Sequence, residues 1–142
     1  RPALAKGTIV VSDRYTLSTI VYQGHCGGLR LKDVREACRI ATSEKQADGS
    51  VKELRPSRMF VFKITPELAA ARCGGTDRFE RRGVEFLREV ANGYLLETNR
   101  LIRMGEPVVT APTNCEPESI ATFIWDHVEP MLAARVPDDE AA

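Results

Sequence analysis

Asp13-Arg14-Tyr15 closes a short apolar run, and Leu17-Ser18-Thr19 and Tyr22-Gln23-Gly24 follow it closely. A guanidinium is a planar fork that grips two phosphate oxygens at once. Arg14 follows Thr8-Ile9-Val10-Val11-Ser12, which reads as a buried parallel strand opening into a polar site. In α/β sheets, ligands sit at that end of the strands. An isolated Asp-Arg pair is usually a surface ion pair of little worth; the spacing to Tyr22-Gln23-Gly24 is what lifts this one. A second charged group places Arg72, Arg78, Arg81 and Arg82 against Asp77 and Glu80. Arg81 and Arg82 read as the solvated start of a helix.

Other reactive residue types point less far. Cys26, Cys38, Cys73 and Cys115 are widely spaced and form no C-x-x-C pair, so metal-ligand spacing is absent and reduced thiols are expected. His127 lies on an apolar helical stripe and is expected to be a core histidine; His25 is expected in a loop. Tyr94 is expected in the core.

The elements that must position these groups follow from periodicity. Leu31, Val34, Cys38 and Ala41 recur at helical spacing. Residues 43–55 are polar and contain Asp48-Gly49-Ser50, which predicts a flexible surface loop. Met59–Ile64 reads as a second strand. Thr65 is a candidate N-cap, with Pro66 at the first helical position and Glu67 in the first turn. A long helix follows with Leu87, Val90, Tyr94 and Leu101 near one face, ended by Gly105. Val108-Val109-Thr110 reads as a third strand. Asn114 is a candidate cap for a last helix striped by Ile120, Phe123, Ile124, His127, Val128 and Met131. The tail over 137–142 is expected to fray. This alternation predicts an α/β layered fold with a mostly parallel sheet.

The bulk properties set bounds. A chain of 142 residues fits a single domain that buries about 68–70% of its unfolded surface. Twenty basic residues balance twenty acidic ones, which gives no support to a nucleic-acid or membrane-surface footprint. No apolar run approaches the roughly 20 residues of a membrane span. Arg1-Pro2 at the start, without methionine, leads to the expectation that residues precede it.

The run Asp13-Arg14-Tyr15, Ser18-Thr19, Tyr22-Gln23-Gly24 closely resembles thymidylate kinases. Pro2–Gly7 is similar to that family's lead-in. Thr65-Pro66-Glu67 and Asp77-Arg78-Phe79-Glu80 resemble its post-strand helix start and its lid, here 72–82. Phe86 through Tyr94-Leu95-Leu96 resembles the helix after the lid. The resemblance implies a three-layer P-loop-kinase-like parallel sheet flanked by helices, with the central P-loop strand not in this chain. It implies transfer of the ATP γ-phosphoryl group to dTMP, giving dTDP, with Mg²⁺, in a cytoplasmic homodimer.

By the same resemblance Arg14 would hold the dTMP phosphate, and Asp13 would sit by the metal and the phosphates. Ser18, Thr19 and Gln23 would line the nucleotide site. Tyr22 would pack under the deoxyribose, where a 2′-hydroxyl would clash. Arg72 and Arg78 would close over the transferred group, with Asp77 and Phe79 facing substrate. Phosphoryl transfer is mostly positioning and charge neutralisation, which suits such a set.

The chain also departs from the family pattern. No G-x-x-x-x-G-K-[ST] loop occurs, and that loop cradles the ATP phosphates. The thymine-stacking aromatic and thymine-reading arginine are expected ahead of Arg1. Pro56-Ser57 stands where Pro-Asp is usual, and Lys63 where a strand-end aspartate is usual. Lys63 is expected at the surface, with added positive charge at the site as the alternative. The alternative functions are another deoxynucleotide kinase, or a non-catalytic kinase-derived binding or structural module.

Overall fold

The computed structural model describes residues 1–72 and 82–134. Arg78, Asp77, Phe79, most of the expected lid and the expected frayed tail lie outside the described residues. The chain divides into two compact units, Arg1–Leu54 and Arg55–Ala142.

The first unit opens with a one-turn helix, α1 (Pro2–Ala5), which Pro2 can start because its missing N–H has no intrahelical partner to lose. Then comes α2 (Thr16–Thr19), which runs directly into a π-helical segment over Ile20–His25. The Cys26 N–H reaching back to the Val21 carbonyl at 3.0 Å is the five-residue bond of that wider turn. After a tight reversal at Gly27-Gly28, α3 (Leu31–Thr42) follows as its periodicity predicts. Leu17, Val21, Gly24 and Val34 are its buried positions, so its small core lies where α2, the π-helix and α3 meet.

Two expectations are corrected in this unit. Thr8–Val11 is not a strand. Ile9 and Val10 are exposed, and Val11 is 92% exposed. A strand exists only by exchanging backbone hydrogen bonds with a neighbour, and among the described residues this segment has none. The expected loop over 43–55 is in part a hairpin. β1 (Ser43–Lys45) pairs antiparallel with β2 (Val51–Glu53), Glu44 opposite Lys52. The Asp48-Gly49-Ser50 turn closes it. Asp48 Oδ1 accepts the Ser50 N–H at 2.9 Å, and Gly49 takes φ +83°, a conformation that favours glycine.

The second unit is more regular. β3 (Met59–Lys63) pairs in parallel with β4 (Val108–Pro112), with Val61 opposite Thr110 and Lys63 opposite Pro112. Thr65 caps α4 (Pro66–Arg72), its Oγ1 accepting the Leu68 N–H at 3.2 Å, as Thr65-Pro66-Glu67 predicts. The long helix α5 (Gly83–Arg103) packs on α4, β3 and β4, and α6 (Pro117–Ala133) on β4. Val61, Ala111, Phe86 and Val90 supply the buried apolar side chains.

The buried face of α5 carries Phe86, Val90, Gly93, Glu97 and Thr98. Of the expected Leu87, Val90, Tyr94 and Leu101, only Val90 is fully buried; the other three are half-buried. Glu97 is 2% exposed, and Arg100 Nη1 stands 3.8 Å from its Oε2. The α6 stripe is half-buried throughout, and Nδ1 of His127 is 2.8 Å from the Phe123 carbonyl. The residue at the N-cap of α6 is Glu116 rather than Asn114, and no side chain caps it.

The described residues thus form an α/β chain, rich in helix with two small sheets. No described helix is long and apolar enough to cross a membrane.

Candidate functional site

Arg14 is the non-glycine residue with positive φ among the described residues, at +69°. For an L-residue this left-handed conformation costs about 1–2 kcal/mol, and such strain persists only where surrounding contacts hold it. Two contacts do so. Ser12 Oγ donates to the Arg14 carbonyl at 2.8 Å, and the guanidinium carbon lies 5.3 Å from the centre of the Tyr22 ring. A cation over an aromatic face at that range is attracted by the ring quadrupole. The exposed Arg14 is therefore aimed rather than loose.

Tyr22 owes its position to the π-helix. A π-turn places side chains at angles an α-helix does not offer, and such turns recur at functional sites. Gly27 ends this segment at very close range. A Cβ there would lie 2.6 Å from the Gln23 carbonyl oxygen and 2.9 Å from that of Tyr22. Only a residue without a side chain fits so near two backbone carbonyls.

Arg14, Ser18 and Thr19 line one open groove of about 620 Å³ together with Tyr15, Thr16, Cys38 and Thr42. Tyr15 is anchored by its hydroxyl, which donates to the Leu54 carbonyl at 2.8 Å. Cys38 Sγ stands 4.0 Å from the Thr16 carbonyl. Burial pushes the Cys38 thiol above its ordinary pKa, and a hydrogen bond with Thr19 opposes this.

The expected site residues therefore divide. Arg14, Ser18 and Thr19 meet in the groove, and Tyr22 joins them through Arg14. Gln23 is exposed and does not line it; nor does Asp13, whose carboxylate is also exposed. Arg72 belongs to the second unit, where its Nη2 donates to the Thr113 carbonyl at 3.4 Å. No cluster of three metal-ligating side chains occurs among the described residues. Mg²⁺, however, takes only one or two carboxylates from a protein when substrate phosphates and waters complete its shell, and the single exposed Asp13 fits that requirement.

Three contributors escaped the sequence reading. Ser12 had a faint signal, as serine hydroxyls often bond to backbone two residues away. Cys38 was read only as part of a helical stripe. Thr113, whose hydroxyl donates to the Lys63 carbonyl at 2.6 Å, gave no signal.

Comparison with known proteins agrees with the motif reading. The sequence profile of the thymidylate kinase family matches residues 1–120. The chain is similar to the thymidylate kinase of Synechococcus sp. (strain JA-3-3Ab), with 33% identity over 96% of this chain and 61% of that protein. It is 39% identical to the thymidylate kinase of Pseudomonas fluorescens (strain Pf0-1) over 77% of this chain and 52% of that protein. The Desulforudis audaxviator (strain MP104C) thymidylate kinase is 34% identical over 95% of this chain and 57% of its own length. The chain spans less than two thirds of each of these relatives, and it belongs to the thymidylate kinase family.

Proposed function

We propose that the complete protein transfers the γ-phosphoryl group of ATP to dTMP, giving dTDP, with this chain contributing the acceptor side. The observation that carries the reading is Arg14, held in a strained backbone state beside Ser18 and Thr19 and steadied by Tyr22. In this reading its guanidinium holds the dTMP phosphate, and Tyr22 packs under the deoxyribose. Ser18, Thr19 and Gln23 line the nucleotide site. Asp13 offers a carboxylate to Mg²⁺, which neutralises phosphate charge when bound. Arg72 and Arg78 neutralise charge on the transferred group, and Asp77 and Phe79 face the substrate. The ATP phosphates rest on a loop supplied from outside these 142 residues. The three-layer parallel sheet, the homodimer and the cytoplasmic setting are parts of the same proposal, carried over from the family.

The test is Arg14→Ala in the complete protein, with calorimetric titration of dTMP and ATP and a melting curve for each variant. Loss of a charge-assisted bidentate contact is expected to weaken dTMP binding by about 2–4 kcal/mol, with ATP binding little changed. Unchanged dTMP affinity in a folded variant removes Arg14 from the site and favours a non-catalytic module.

A further inference from the structure

The C-terminal mouth of the β3–β4 pair carries two cations outside the Arg14 groove. Lys63 is the last residue of β3, in register with Pro112. Thr113 follows directly, and its hydroxyl donates to the Lys63 carbonyl at 2.6 Å. The Thr113 carbonyl in turn accepts from Arg72 Nη2 at 3.4 Å. Thr113 is buried, so this bridge is shielded from competing water. It fixes both the point where Lys63 leaves its strand and the place where the Arg72 guanidinium rests.

Among the described residues, neither Lys63 nor Arg72 has a carboxylate within ion-pair distance. Other exposed cations of the same unit do: Arg55 pairs with Glu106, and Arg88 with Glu67 and Glu85. Two like charges held at one strand mouth repel, and a bound anion offsets that repulsion. The C-terminal ends of parallel strands are also where α/β sheets take ligands. A guanidinium fork beside an ammonium point charge suits adjacent phosphates better than a single carboxylate.

We propose that Lys63 and Arg72 form a phosphate-binding pair at the mouth of β3 and β4 that takes the polyphosphate chain of a nucleotide. This deepens the kinase reading and rests on it for the identity of the ligand, not for its charge. The experiment is titration of the 142-residue chain with inorganic tripolyphosphate, followed by backbone amide NMR, and then with ATP. Saturable shifts at Lys63, Arg72 and Thr113 are expected with both ligands. Lys63→Ala and Lys63→Gln are each expected to weaken binding about tenfold, and Lys63→Arg to restore most of it. Rising salt weakens it as well. The absence of saturable shifts at these three residues overturns the proposal, as does unchanged affinity in whichever Lys63 variant keeps the wild-type spectrum. ATP that moves other amides and leaves these three still also overturns it. Tripolyphosphate holds no nucleoside and no acceptor, so the result does not depend on whether the protein phosphorylates dTMP.

Discussion

The two units hold their polar groups by different means. In residues 1–54 the groove depends on unusual backbone: a left-handed Arg14, a π-helix under Tyr22, and a Gly27 with no room for a Cβ. In residues 55–134 ordinary devices suffice: a capped helix, a parallel ladder, and a long helix laid across them. The first unit gains precise aim over a core with few apolar side chains. The second places more apolar surface under standard geometry. Substitutions in the second unit should therefore register mainly as stability, and those in the first as a local loss of aim.

The largest effect expected from that contrast is at Phe86. It is buried, and the Arg82 guanidinium carbon stands 3.9 Å from its ring centre. Phe86→Ala should cost about 3–5 kcal/mol through the cavity it leaves, read as a lowered denaturant midpoint. Amide signals around Arg14 should stay put under native conditions. If they move as far as those of α5, the contrast between the units is wrong.

Gly27→Ala sharpens the same contrast from the other side. The new Cβ must push the Gln23 or Tyr22 carbonyl, which are backbone atoms and cannot rotate away. A cost of about 1–3 kcal/mol is expected, with chemical-shift changes concentrated between Ile20 and Leu29. A substitution that leaves Tyr22 unmoved breaks the claim that Gly27 sets the π-helix.

The smallest effect concerns thiol reactivity. Cys38 lines the groove with its pKa pushed up by burial, whereas Cys115 is exposed. The thiolate is the nucleophile, so a raised pKa means less of it at neutral pH. Iodoacetamide should alkylate Cys115 before Cys38, with the Cys38 rate climbing at more alkaline pH. Equal rates at neutral pH would show that the groove does not shelter this residue.

What the sequence disclosed follows the same division. The strand at Met59, the Thr65 cap and the helix from Leu31 were legible because their signals are local: apolar runs, side-chain caps and helical spacing. The Thr8–Val11 reading failed because apolar character predicts burial, while a strand also requires a partner. The hairpin was missed because Ser43-Glu44-Lys45 and Val51-Lys52-Glu53 show no apolar alternation, although its Asp48-Gly49-Ser50 turn was seen. The face of α5 was read out of phase because Gly93 and Glu97 do not count as apolar, yet both are buried. In the site, Arg14, Ser18 and Thr19 were found through their motif. The backbone states that aim them were not, since neither a left-handed arginine nor a π-turn has a compositional signature.

The π-helix also makes the motif sensitive to chain length. A π-turn holds more residues per revolution than an α-turn, so Ile20–His25 contains surplus chain relative to a plain helix. Removing one residue there would let the segment relax to α geometry and rotate whatever follows by about 100°. Tyr22 would turn away from Arg14, and the Gly27-Gly28 reversal would start from the wrong side of the helix. Between Thr16 and Leu31 a single-residue deletion should be more damaging than most substitutions, because the spacing there is itself part of the geometry.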